Sequence, residues 1–281
     1  MDAAPLVALI DALQGRKIAV IGDVVADEFV YGRVARVSRE APVLILEYDS
    51  TEVVPGAGGN AANNVAALGG RAALVSIIGR DEPGRRLLAS LHRGVDARPV
   101  MRAAGRQTIV KTRILAGGIH SAKQQVVRID RTVNGPVDKA ARTAFERTAI
   151  EVAVEADAVL ISDYGSGLVT PALAAKIQLA LRRAQHPIPV LVDTRYRLLE
   201  YTGLTACTPN ESEVEQALGV HVNDDLQTLE QAGREILART GMQAVLITRG
   251  SRGMALFQPD TATVHIPVSY THLTLPTKLE V

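Results

Sequence analysis

The chain lacks most of what would mark a secreted, membrane-spanning or nucleic-acid-binding protein. Its single cysteine, Cys207, leaves no internal disulfide framework and fits a reducing compartment. No apolar run approaches the ~18 residues that a membrane helix needs. The N-terminal stretch MDAAPLVALIDALQG reads as a short amphipathic helix carrying Asp2 and Asp11, without the basic start and long apolar run of a signal peptide. Neither sign of charge is in excess: Lys+Arg 31 against Asp+Glu 30 gives +1, so no global field draws the chain to nucleic acid or a membrane surface. A soluble cytoplasmic protein is the expectation. The 281 residues, 47% hydrophobic, suffice for one large domain or two small ones at ~100–200 residues each.

A dinucleotide-binding glycine fingerprint is also missing where it would be expected. Residues 18–21 form an apolar, β-branched run that enters Gly22 and then meets Asp23 and Asp27. Such a run reads as a buried parallel strand, and ligands in open α/β sheets gather at the carboxyl ends of such strands. A pyrophosphate site would place glycines there. Carboxylates repel phosphate but accept hydrogen bonds from hydroxyls, so a polyhydroxyl ligand such as a sugar is indicated. A strand followed by Gly-Asp is equally compatible with simple turn chemistry.

Residues 29–56 change character, with strands of mixed polarity expected at 43–47 and 52–54, bracketed by Pro42 and Pro55. They suggest a small projecting sheet, a lid. PGAGGNAANNVAALGG (55–70) follows: Gly56, Gly58 and Gly59 permit a tight turn, and a helix starting near Asn60 carries Ala61, Val65 and Leu68 on one face. The turn reads either as a polar-ligand site or as plain close packing. Another buried strand is expected at 74–78. Segments 108–115 and 124–130 alternate around Gly117-Gly118 as a hairpin that joins the lid, made basic by Lys111, Arg113 and Arg128. These cations are either solvated or poised for a sugar phosphate.

From residue 138 onward helices and strands alternate regularly, which implies a parallel sheet with right-handed crossovers and one crevice along its carboxyl edge. In TPNESE (208–213), Thr208 and Glu211 are spaced as a capping box with Pro209 at the first helical position. Asn210 and Glu213 share the next helical face, where a metal or its bound water could sit; a solvated first turn looks the same. TRGSRG (248–253) is a glycine turn whose amides could cradle phosphate.

The ordered set GDVVAD, GAGGNAAN, GRDEPG, SDYGSG, TPNESE and TRGSRG resembles the ribokinase-like PfkB family of carbohydrate kinases over roughly 17–267. With IVKTRIL and VVRID, it is most similar to the branch that phosphorylates heptose 7-phosphate at C1 in ADP-heptose and lipopolysaccharide-core synthesis, where a nucleotidyltransferase half follows. The resemblance implies an α/β parallel-sheet sandwich with helices on both faces and a β lid at about 29–55 and 107–130. It implies ATP and Mg²⁺ as cofactors, a sugar phosphate as substrate, and a homodimer through the lid as an option. Asp23, Asp27, Gly56 and Asn60 match the sugar-binding positions, with Ala57 where a second glycine is usual. Lys111 and Arg128 fall where the substrate phosphate would be held. Asn210 and Glu213 match the motif that organises magnesium and phosphates, with Glu213 the metal-side carboxylate. Thr248, Gly250 and Gly253 match the nucleotide-side turn.

The family's general base belongs to a Gly-Ala-Gly-Asp segment, and the sequence contains none. VSYTHLTLPTKLEV (268–281) stands in its place and resembles translated adapter sequence. The expectation is a kinase domain over 1–268, incomplete at its end and inactive as written, with a non-native tail at 269–281. A non-catalytic sugar- or nucleotide-binding module, or a kinase of this fold with another sugar, are the alternatives.

Overall fold

The computed structural model describes residues 4–117, 123–132, 135, 137–223 and 225–268. The expected tail at 269–281 and Gly118 of the expected hairpin turn lie outside the described residues. The chain divides into two compact units, Met1–Leu191 and Val192–Val281, which are described in turn.

The first unit opens with α1 (Ala4–Asp11), β1 (Lys17–Gly22), β2 (Val24–Val37), β3 (Leu44–Ala57) and α2 (Gly58–Ala67). It continues with β4 (Arg71–Gly79), α3 (Glu82–Ala89), β5 (Val95–Asp96), β6 (Val100–Ala103), β7 (Ile109–Gly117) and β8 (Gln124–Arg131). It closes with α4 (Lys139–Val154), β9 (Ala158–Asp163), α5 (Pro171–Arg183) and the start of β10 (Val190–Thr194). The body sheet runs β9-β1-β4-β5, with β6 also on β4, and β1 is parallel to both β4 and β9. β1 and β4 are the buried strands expected: Ala19, Val20, Ile21, Leu74 and Val75 have no exposed surface.

The lid differs in extent from the expectation. β2 and β3 each span 14 residues and pair from Val24↔Ala57 to Val37↔Leu44. GDVVAD is therefore not a strand and turn; Asp23 is the joint between two strands, and Asp27 lies inside β2. Pro55 is a paired residue of β3, tolerated because β3 is the edge of the sheet β3-β2-β7-β8. The two short strands expected at 43–47 and 52–54 are one strand, β3, whose exposed polar middle, Glu47 to Ser50, resembles a connection in sequence.

The lid grows out of the body core. Val24, Ala26 and Val110 pack with Val20, Ala62, Leu74, Ile78 and Leu87 in one buried cluster, each larger side chain contributing about 1.5–3 kcal/mol. Side chains alternate across a strand. With Ala26 turned into the core, Val25 and Asp27 face the other way. Glu28, on the Ala26 side, accepts from Arg86 of α3 (3.3 Å), Arg131 of β8 (3.0 Å) and Thr112 of β7 (2.7 Å). The buried residues of α2 are Gly58, Gly59, Ala62 and Ala66, whereas Leu68 at its end is 44% exposed.

The second unit contains β11 (Ala206–Cys207), α6 (Glu211–Leu218), α7 (Leu226–Thr240), β12 (Ala244–Thr248), β13 (Met254–Phe257) and β14 (Val264–Ile266). β11 is parallel to β12, and β13 and β14 follow antiparallel. Cys207, Val214, Leu229, Ile236, Val245, Ile247 and Phe257 form buried positions here. Burial pushes the Cys207 thiol up to about 12, which leaves it protonated and without redox reactivity at neutral pH.

Candidate functional site

In the first unit, a cavity of about 350 Å³ opens at the root of the lid. Val25, Asp27 and Phe29 of β2, Val54 to Ala57 of β3, Asn60 of α2, Lys111 and Arg113 of β7, and Tyr164 line it. Four expected substrate residues, Asp27, Gly56, Asn60 and Lys111, thus converge. They come together because β2 and β7 pair in parallel, with Asp27↔Lys111 and Phe29↔Arg113, while β2 and β3 bring Val25 opposite Gly56.

Gly56 is needed for space rather than for backbone freedom. A Cβ there would overlap Oδ2 of Asp27. Gly56→Ala is therefore expected to displace the Asp27 carboxylate and weaken binding of any ligand that donates to it by about tenfold, the size of one charged hydrogen bond, with the fold retained. Isothermal titration beside a far-UV spectrum checks this; unchanged affinity contradicts it. The neighbouring Ala57 does sit at positive φ, +54°, a conformation that favours glycine.

Asp23 occupies a different place from Asp27. It is 1% exposed. Its Oδ2 accepts from the Tyr164 amide (2.9 Å) and the Ser166 amide (3.3 Å), and its Oδ1 accepts from the Ser166 hydroxyl. Its own amide donates to Ser162 (3.0 Å), and its carbonyl accepts from Gly58 at the start of α2 (2.8 Å). Asp23 thereby fastens β1, α2 and the SDYGSG turn together. Burial raises its pKa, hydrogen bonds from Ser166 and Tyr164 oppose this, and the Asp163 charge adds to the rise. Arg128 does not line the cavity; it is half-exposed and pairs with Asp130 at 2.9 Å. It lies directly opposite Arg113 in the β7–β8 ladder, on the Lys111 face of the lid.

Two cations stand out from the geometry. Arg113 Nη1 donates to Asp27 Oδ1 at 2.5 Å and its guanidinium lies 5.3 Å from the Phe29 ring centroid. Sequence reading noted Arg113 only as part of a basic hairpin; a long-range parallel ladder, invisible in one sequence, selects it. Arg106 carries a buried Nε with no hydrogen-bond partner among the described residues. Burial holds its guanidinium below the usual range, the Asp23 carboxylate opposing and Arg142 reinforcing the shift.

In the second unit, Asn210, Glu213 and Thr248 are brought together. Thr248 pairs with Asn210 as an isolated parallel bridge, and its amide donates to the Pro209 carbonyl (2.9 Å). The expected capping box of Thr208 with Glu211 is corrected. Asn210 is the N-cap, its side chain accepting from the Glu213 amide (2.9 Å) while Glu213 Oε2 accepts from the Asn210 amide (2.9 Å). The bridge to Thr248 keeps residues 209–210 extended, so the helix starts two residues later. Glu211 pairs instead with Arg249 (2.7 Å) and with Arg252, tying the first turn of α6 to the glycine turn.

Gly250 and Gly253 both have positive φ, +55° and +90°, and a Cβ on Gly253 would overlap the Ile266 carbonyl. Within this turn the amides of Arg249, Arg252 and Gly253 donate to carbonyls of the same turn, so among the described residues those of Gly250 and Ser251 are its candidate anion donors. Burial raises the Glu213 pKa, the Asn210 amide opposes, and the Asp193 charge adds to the rise. Among the described residues no three His, Cys, Asp or Glu side chains converge on one point. Glu213 beside Asp193 suits instead a cation that keeps its waters and takes one or two carboxylates with phosphate oxygens, as Mg²⁺ does.

The protein named bifunctional protein HldE of Trichlorobacter lovleyi is 38% identical over 269 residues, covering 95% of this chain and 53% of that protein. Its namesake in Geobacter metallireducens is 40% identical over 250 residues, covering 88% and 49%. The chain spans about half the length of the curated relatives it matches. Arabidopsis thaliana ribokinase, solved with ribose and ATP, superposes with a TM-score of 0.66 at 18% identity over 91% of this chain and 78% of that one. Escherichia coli phosphofructokinase-2 with fructose-6-phosphate gives 0.64 at 16%, over 90% and 80%. These two establish a ribokinase-like fold. The family model described as pfkB family carbohydrate kinase matches residues 16–272, and the chain belongs to that family.

Proposed function

We propose that the chain is the kinase part of a heptose-phosphate kinase, taking heptose 7-phosphate to heptose 1,7-bisphosphate with ATP. The observation that carries this is the cavity at the lid root, where Asp27, Gly56, Asn60 and Lys111 converge in a pfkB-family chain whose most similar relatives above are named HldE. Asp27 accepts sugar hydroxyls, Gly56 makes room for its carboxylate, and Asn60 brackets the sugar. Asp23, with its carboxylate given to the 164–166 turn, acts by holding that turn. Lys111, with Arg113 and Arg128 on the same face of the lid, holds the substrate phosphate.

Asn210, Glu213, Thr248, Gly250 and Gly253 form the nucleotide-side group. ATP supplies the phosphoryl group, and Mg²⁺, held through Glu213, neutralises phosphate charge. Glu213→Gln preserves the capping box, since glutamine serves at that position, while removing the charge. It is expected to raise the magnesium concentration for half-maximal ATP binding about tenfold with thermal stability nearly unchanged. An unchanged requirement would make Glu213 a cap and nothing more. The same reading includes a homodimer through the lid, where β8 leaves Val126, Val127 and Ile129 at 44–50% exposure.

Proton abstraction from the sugar hydroxyl needs a base, and the sequence holds no Gly-Ala-Gly-Asp to supply one. The second reading is a sugar-binding module that binds without turnover. Transfer of label from [γ-³²P]ATP to heptose 7-phosphate, by the chain extended with a Gly-Ala-Gly-Asp segment and the helix it starts, separates the two. Transfer supports the kinase; binding with no transfer in the extended chain supports the module.

A further inference from the structure

Resting on that sugar-phosphate reading, we propose that Arg113 is a latch on Asp27, released by a phosphorylated sugar and not by an unphosphorylated one. Asp27 is the carboxylate that lines the cavity, yet one of its oxygens is taken by the Arg113 guanidinium. The two side chains are only 21% and 23% exposed, and Arg113 is held in place by stacking on Phe29. On its other side the Asp27 carboxylate is backed by Gly56, so it has little freedom to turn away from the guanidinium.

The charges in the lining decide which ligand can open the pair. Asp27 and Arg113 cancel, and Lys111 makes no ion pair among the described residues, so the cavity keeps one uncompensated cation. A sugar hydroxyl brings a neutral donor, which at Oδ1 must displace a charge-assisted hydrogen bond roughly twice as strong as the one it offers, so it gains only the second oxygen. A phosphate monoester brings nearly two negative charges and oxygens that match the guanidinium fork bidentately. Arg113 then transfers to the phosphate beside Lys111, and both Asp27 oxygens become open to hydroxyls. Phosphate binding and hydroxyl binding are thereby coupled, and coupling between two ligands is reciprocal. No bond is made or broken; the latch sets which sugars the cavity accepts.

Titration calorimetry on the full chain tests this with three probes: heptose 7-phosphate, unphosphorylated heptose and inorganic phosphate. In the wild type, saturating inorganic phosphate should tighten unphosphorylated heptose about fivefold or more, a modest part of one charged hydrogen bond. No change, or competition between the two, overturns the latch. In Arg113→Gln, unphosphorylated heptose should bind more tightly than to the wild type, and its disadvantage against heptose 7-phosphate should shrink by about tenfold or more. Equal weakening of both ligands makes Arg113 merely structural and overturns the proposal. The wild-type arm stands even if the variant folds poorly. A wild type that binds no heptose 7-phosphate at all overturns the sugar-phosphate reading itself, whereas binding without coupling overturns only the latch.

Discussion

Replacing Asp27 with alanine is expected to weaken heptose 7-phosphate binding about thirtyfold while leaving ATP affinity within about twofold. The size follows from one charged hydrogen bond to a sugar hydroxyl, about 2 kcal/mol. The selectivity follows from assignment: Asp27 of β2 lines the lid-root cavity in the first unit, whereas the residues assigned to the nucleotide, from Asn210 at the start of α6 to the turn after β12, belong to the second. Asp27→Asn, which keeps an acceptor oxygen, should lose only about fivefold. Calorimetric titration of each ligand measures both; equal loss for sugar and nucleotide contradicts the assignment.

Asp23→Ala should act on stability instead, costing the first unit roughly 3 kcal/mol. The substitution leaves two amides and a hydroxyl without their buried acceptor, and an unmatched buried donor costs about 1–3 kcal/mol. The pH dependence has a definite sign. Burial raises the Asp23 pKa in the folded chain above the unfolded value of about 3.9. A carboxyl shifted upward contributes stability that is fully present below the unfolded pKa and is lost as pH rises through the folded one. Asp23→Asn keeps an acceptor oxygen and cannot ionise, so it should be less damaging than alanine and lack this loss as pH rises above about 4. Urea unfolding of the three proteins across that range checks both statements. An alanine variant as stable as the wild type would remove Asp23 as the joint of β1, α2 and the SDYGSG turn.

The body of the fold was legible because its strands are short, mostly apolar runs, with few polar residues such as Ser76 buried among them. Residues 18–21 and 74–78 and the strands after 158 read directly, since a parallel strand covered on both sides permits few other interpretations. The lid was harder. β2 passes from a core element to an exposed one within 14 residues, so no single period describes it. Its true extent placed Asp27 inside a strand and separated it from Asp23, which sequence had paired as equivalent acids. The start of α6 failed for another reason. Thr208 with Glu211 and Asn210 with Glu213 are both spaced as capping boxes. The choice is made by partners far along the chain: Thr248 holds Asn210 extended, and Arg249 and Arg252 draw Glu211 away. Arg106 and Arg113 were missed as individuals because a guanidinium's partner is a matter of register and burial, and neither is written locally.

Amide hydrogen exchange of the full chain, with and without saturating heptose 7-phosphate, tests most directly that the lid-root cavity is the sugar site. The account predicts slowed exchange in residues 54–60 and 109–113, which carry Gly56, Asn60, Lys111 and Arg113. Ligand-induced slowing confined to segments away from this cavity would contradict it.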